Sequence, residues 1–188
     1  PFVTKVSWPQ GNFNHLTAGS EAKGHEASWK VEVQIEEIKS GPNHAAVPRS
    51  RAHVHASGNH YSLHRQIDQF ATHVYVRDTY TNTTGKDLGL LIYNEMPIDR
   101  EELVESRLGG WERGGRPTGV FSPSVFVEDN NTGIGIIPID DVYVIQSVLY
   151  SDEQAAGAGT EKFALAPGAS YTLEWAVYPT GSGDYYDF

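Results

Sequence analysis

Four of the eight histidines fall in one short run, Arg51-Ala52-His53-Val54-His55-Ala56-Ser57-Gly58-Asn59-His60-Tyr61-Ser62-Leu63-His64. Neutral imidazoles ligate divalent transition metals, hydrogen-bond hydroxyl groups and take up a proton near neutral pH. The run reads as two strands joined by a tight turn at Ser57-Gly58. A two-residue turn there places His55 opposite His60 and His53 opposite Ser62. Alternation then predicts His53, His55, His60 and His64 on one face of the hairpin, with Val54, Tyr61 and Leu63 on the face turned to a core. Because a slip of one residue would turn every side chain over, this expectation depends on the turn.

Three uses of such a face stay open. One is a divalent transition-metal centre on His53, His55 and His60. The His-x-His spacing is similar to the first half of a cupin metal motif, but His60 stands where that pattern wants a glutamate, and no histidine follows His73. The second is a sugar-binding sheet whose imidazoles (His53, His55, His60, His64) act with Glu95 at a strand end and with Trp111, Glu112 and Arg113 in a glycine-rich segment. Carboxylates and guanidinium groups hydrogen-bond hydroxyls, and aromatic rings stack on the apolar faces of pyranoses. The third is a plain solvated polar face. Elsewhere, Asp140-Asp141 reads as turn chemistry, and Arg77-Asp78 inside an apolar strand reads as a local ion pair. The triplets Asn82-Thr83-Thr84 and Asn130-Asn131-Thr132 fit a glycosylation sequon. No nucleophile elbow, phosphate-binding glycine loop or dinucleotide fingerprint is present.

The elements that must carry these residues are strands. In Trp29-Lys30-Val31-Glu32-Val33-Gln34-Ile35-Glu36 one face is apolar and the other polar, and Tyr171 to Val177 repeats the pattern. Runs of β-branched and aromatic residues predict further strands at His73 to Thr81, Leu88 to Asn94, Val125 to Glu128, Gly135 to Ile139 and Val142 to Tyr150. Asn82 to Gly85, Asp129 to Gly133 and Ala156-Gly157-Ala158-Gly159 read as the turns between them. Helix is confined to a turn or two at Asp99 to Leu108, with Asp99 as its cap. The segment Gly109 to Pro117 is too irregular for a strand and reads as a ligand-facing rim.

The 188 residues suit one β-sandwich domain, and the absence of any repeat or linker supports that reading over residues 1–188. The opening Pro1 and the abrupt end at Phe188 fit a piece of a longer polypeptide. There is no cysteine, which rules out disulfides, thiol nucleophiles and zinc-thiolate sites. Acidic residues outnumber basic ones 24 to 14, for a net charge of −10, so neither nucleic acid nor an anionic membrane surface is an expected partner.

The stretches Val74 to Gly85 and Phe163 to Trp175, the second with Pro167-Gly168 before a final alternating strand, resemble galactose-mutarotase-like supersandwich domains. That resemblance implies an all-β antiparallel sandwich with little helix. It also implies association with glycoside hydrolases, polysaccharide lyases and epimerases, a carbohydrate partner and a secreted or cell-surface setting. It identifies no catalytic pair. The expectation is an accessory or glycan-binding domain. The alternatives are a small metal-dependent enzyme on the histidine cluster and an extracellular subunit that self-assembles through edge strands.

Overall fold

A computed structural model of the chain describes residues 3–7, 13–17, 22–24, 30–38, 47–99, 101–112, 114–117, 122–130 and 132–188; residues 3, 7, 13–17, 22–24, 30–33 and 37 are described by backbone alone. The chain begins with β1 (Val3–Ser7), β2 (Phe13–Thr17), β3 (Ala22–Gly24), β4 (Lys30–Glu37), β5 (Ser50–Ser57) and β6 (Tyr61–Gln69). It continues through β7 (Val74–Asn82), β8 (Leu88–Pro97), β9 (Leu103–Leu108), β10 (Trp111–Glu112), β11 (Val125–Asp129) and β12 (Thr132–Pro138). A short helix α1 (Asp141–Gln146) leads into β13 (Ser147–Ser151), β14 (Ala155–Leu165) and β15 (Ser170–Thr180). Among the described residues two antiparallel sheets result. One has six strands in the order β13-β14-β8-β1-β2-β3, and the other has nine in the order β10-β9-β11-β12-β15-β7-β6-β5-β4.

The core lies between the sheets. Val54, Leu63, Val76, Tyr80, Leu173 and Trp175 come from the nine-stranded sheet, and Leu90, Ile92, Leu149, Ala156 and Ala158 from the six-stranded one, all nearly or fully inaccessible to solvent. Burying each such side chain contributes roughly 1.5–3 kcal/mol for the larger aliphatics. The pleat that delivers them is the period of two in the sequence.

A chain of polar groups runs through this apolar layer. Arg65 on β6 faces Asp78 on β7 in register, with Nε and Nη2 donating to the two carboxylate oxygens at 2.6 and 2.7 Å. Trp175 Nε1 donates to the same carboxylate at 3.0 Å. Arg65 also donates to Thr4 Oγ1, which donates to Asn94 Oδ1 at 2.7 Å on the opposing sheet. Asn94 Nδ2 then donates to the Tyr143 hydroxyl at 2.9 Å, and that hydroxyl donates to the Ala158 carbonyl at 2.8 Å. Burial works against the Arg65 charge, but Asp78 outweighs it and holds the guanidinium above its ordinary pKa. Burial also pushes the Tyr143 phenol up, so it stays a donor.

Four expectations change. Val142 to Gln146 is helical rather than extended, because Asp140 caps α1: its Oδ1 accepts from Tyr143 N at 3.0 Å while its Oδ2 accepts from Glu174 N at 2.8 Å. That double anchor and the buried Tyr143 override the β propensity of Val142, Val144 and Ile145. Asp99 does cap a turn, accepting from Glu101 N at 3.0 Å, but the chain leaves it at once as β9. The run Ala156 to Gly159 is no turn but the interior of β14, paired on both sides. A Cβ on Gly157 would lie 2.4 Å from the Asn94 carbonyl and one on Gly159 would lie 2.4 Å from the Tyr93 ring, so closeness to β8 demands glycine there. Last, Ile35, expected on a buried face, is 74% exposed near the end of the edge strand β4. Trp29, expected beside it, lies outside the described residues.

Asp78→Ala leaves the Arg65 charge buried and unpaired and is expected to lower unfolding stability by about 3–5 kcal/mol. A urea titration showing a loss below about 1 kcal/mol would contradict this account of the interior.

Candidate functional site

The histidine hairpin forms, in a different register. Ser57 pairs with Ser62, His55 with His64 and His53 with Gln66, and the turn is closed by Gly58 N donating to Tyr61 O at 3.0 Å. His60 therefore falls in the turn and not opposite His55, and its carbonyl accepts from Thr83 N at 3.0 Å. The longer turn displaces each strand by an even number of residues, which alternation in the sequence does not register. The face assignment of His53, His55 and His64 consequently stands. His55 and His64 stack with ring centroids 4.3 Å apart, His53 and His64 at 5.3 Å, and His53 Nδ1 shares a hydrogen bond with His64 Nε2 at 3.0 Å. Burial first, and then the charges of His55 and His53, lower the His64 pKa, while Asp78 opposes them. Among the described residues no group of three or more His, Cys, Asp or Glu side chains is placed to hold a metal ion.

A second cluster lies on the outer face of the six-stranded sheet. Lys5 on β1, Tyr93 and Glu95 on β8, Tyr150 on β13, Asp152 just beyond it, and Gly115 and Arg116 of the glycine-rich segment line a depression of about 420 Å³. Register explains the grouping: Lys5 pairs with Tyr93, and Tyr150 and Glu95 flank Gly157 on either side of β14. With no side chain at Gly157 or Gly159, the Glu95 and Tyr93 side chains lie down over β14. The loop is fastened above this floor by paired backbone bonds between Gly115 and Ser151 at 2.7 and 2.9 Å.

Glu95 is only 6% exposed. Tyr150 donates its hydroxyl to Glu95 Oε2 at 2.6 Å, and Lys5 forms an ion pair with Oε1. Burial and the adjoining Glu95 carboxylate push the Tyr150 phenol far up, so it serves as a fixed donor and never as a base. Arg116 bonds Glu161 at 2.5 Å and lies over the Tyr93 ring, 5.9 Å from its centroid. The Tyr93 hydroxyl also donates to Glu161, and that bond heads the causes that hold the Glu161 carboxyl below its ordinary pKa. Tyr93 and Tyr150 meet edge to face at 5.8 Å. The cavity thus combines a buried acceptor, fixed donors and aromatic walls, which is the chemistry of a site for a polar, ring-shaped ligand.

The residues expected to act together are not brought together. His53, His55 and His64 face outward from the nine-stranded sheet, and Glu95 faces outward from the other. Trp111, 71% exposed, sits with Glu112 on β10 at the far edge from the histidines, several strand spacings or roughly 30 Å along the sheet. Arg113 lies outside the described residues. The glycine-rich segment does reach a depression, through Gly115 and Arg116. Sequence reasoning missed Lys5, Tyr93, Arg116, Tyr150 and Asp152. The signal within reach was Ala156-Gly157-Ala158-Gly159, whose alternation of alanine and glycine fits a strand with a bare face as well as it fits a turn. The Arg77-Asp78 pair splits: Asp78 pairs inward with Arg65, and Arg77 pairs outward with Asp68 at 3.0 Å. Asn82 does hold its turn, accepting from Thr84 N at 2.8 Å and donating to the Lys86 and Leu165 carbonyls at 2.7 and 3.0 Å.

The molecule is an all-β antiparallel sandwich. Among solved structures it is similar to the GH36 α-galactosidase AgaB from Geobacillus stearothermophilus (TM-score 0.55, 10% identity, 96% of this chain and 30% of that one). It is similar as well to the Slr1438 protein from Synechocystis sp. PCC 6803 (TM-score 0.53, 12% identity, 82% and 66%) and to the galactosidase domain of the α-galactosidase–sucrose kinase AgaSK (0.51, 8%, 96% and 30%). At these identities the likeness is one of fold, and the chain spans 30% of the length of the α-galactosidases it matches. No protein-family model and no curated protein matches the sequence.

Because the fold favours neutral His64, its contribution to stability is whole above about pH 6.5 and is lost as the pH falls through that value toward the lowered folded pKa. Nuclear magnetic resonance titration is expected to place the His64 midpoint below that of a model histidine. His64→Gln is expected to flatten the loss of stability on acidification, and a midpoint at or above the model value would refute the cause assigned here.

Proposed function

We propose that this chain is a carbohydrate-associated domain, an accessory or glycan-binding part of a glycoside hydrolase- or lyase-type protein working outside the cell, and that it meets its sugar over Glu95. The observation that carries the reading is the buried Glu95 carboxylate, oriented by Tyr150 and Lys5 at the floor of a depression walled by tyrosines. Sugar hydroxyls need such acceptors and donors, and sugar rings need such walls. The fold supports the reading: AgaB and AgaSK, which share it, are α-galactosidases. Both Glu95 oxygens already have partners, which suits a carboxylate that binds rather than one that shuttles protons. The metal-dependent alternative gains nothing from the described residues, where His53 and His64 bond each other.

Titration of isotopically labelled protein with a panel of oligosaccharides is expected to shift the amides of residues 93–95, 115–116 and 150–152. Tyr93→Ala is expected to weaken that binding about tenfold, the loss of roughly 1–1.5 kcal/mol of ring contact, while His64→Gln leaves it unchanged. If shifts gather instead around His55 and His64, the sugar site belongs on the other sheet.

A further inference from the structure

The charges around the Glu95 depression bear on which sugars fit it. Among the described side chains two cations, Lys5 and Arg116, stand against three carboxylates, Glu95, Asp152 and Glu161, a balance of −1 on a chain whose total is −10. Both cations are already engaged, Lys5 with Glu95 and Arg116 with Glu161. An incoming carboxylate or sulfate would have to draw one of them away. Drawing Lys5 away would leave Glu95, 6% exposed, with Tyr150 as its one remaining side-chain partner among the described residues, and stripping a buried carboxylate of its counter-charge costs several kcal/mol. Drawing Arg116 away would leave Glu161 with the Tyr93 hydroxyl but without its cation, so that two like charges would share the rim.

A neutral sugar meets no such obstacle. An ionised carboxylate offers about four lone-pair positions, and Lys5 and Tyr150 account for two of those on Glu95. The remainder can accept from a pair of adjacent ring hydroxyls. The apolar face of the same ring can rest on Tyr93 or Tyr150, which stand edge to face. Asp152, whose Oδ1 accepts from the backbone N–H groups of Gln154 and Ala155 at 2.9 and 3.0 Å, keeps a negative charge fixed at the rim.

We propose that the Glu95 depression selects neutral, hydroxyl-rich glycans and rejects uronate-bearing and sulfated ones through its three carboxylates. The inference rests on the sugar-binding reading of the same site and adds to it a discrimination between ligand classes. The test uses gluco- and galacto-configured tetrasaccharides together with the same chains oxidised at C6 to uronates, each titrated into the whole chain with amide shifts as the readout. Neutral probes are expected to bind at residues 93–95 and 150–152 at least about tenfold more tightly than their uronate counterparts. The double variant Glu95→Gln, Glu161→Gln shifts the local balance by two charges and is expected to bring the uronates within about threefold of the neutral chains. Glu161→Gln alone, at a more exposed position, is expected to move them part of the way and serves if the double variant does not fold. Uronates that bind the unaltered site as well as neutral chains overturn the selectivity but leave the sugar reading intact. A selectivity that survives Glu161→Gln and the double variant unchanged overturns the assigned cause. If neither probe class binds, the sugar reading and the selectivity fall together.

Discussion

A guanidinium and a carboxylate in the middle of an apolar layer constrain this molecule more than any hydrophobic contact does. Arg65 and Asp78 stand opposite one another on β6 and β7, and Trp175, Thr4 and Asn94 extend the pair across to the second sheet. Such a pair adds little net stability over a well-packed apolar substitute, but a misalignment that separates its members leaves charges stranded in a low dielectric. Sliding β6 along β7 is therefore prohibited far more strongly than packing alone would prohibit it. The register of β5 and the stacking of His53, His55 and His64 inherit that fixity, since β5 pairs with β6. Through Thr4 and Asn94 the same network fixes β1 against β8, the two strands that present Lys5, Tyr93 and Glu95.

The fold was legible where residue type carried a strand signal. Alternation places β15 within a few residues, and runs of β-branched and aromatic residues do the same for β7, β8, β11 and β12. Three features were illegible for separate reasons. Helix α1 is made by Asp140, whose second oxygen reaches β15, and no local pattern announces a bond to a residue so far along the chain. Strand β14 passed for a turn because glycine marks both a reversal of direction and a backbone that needs a bare face. The turn after β5 was misjudged in length, and only the parity of the error preserved the histidine face.

The Glu95 cluster was harder to read than the fold, for a geometric reason. Its members come from β1, β8, the segment before β11, β13 and the turn after β13, and no two of those segments lie close in sequence except β13 and its turn. Spacing within a motif shows residues that share an element, whereas here the cross-strand registers of four strands do the assembling. The histidines drew notice because they cluster along the chain. Glu95 stood out as a polar group near a strand end, and its neighbours did not.

Strand β14 places a limit on how this surface diversifies over generations. Its outward positions Gly157 and Gly159 have no room for even a methyl group, being closed off by the Asn94 backbone and the Tyr93 ring. Descendants of this chain can thus explore new recognition only around the perimeter, at positions such as 93, 116 and 150, while the two glycines stay frozen. Variation among natural variants should accordingly form a ring around an unchanging centre.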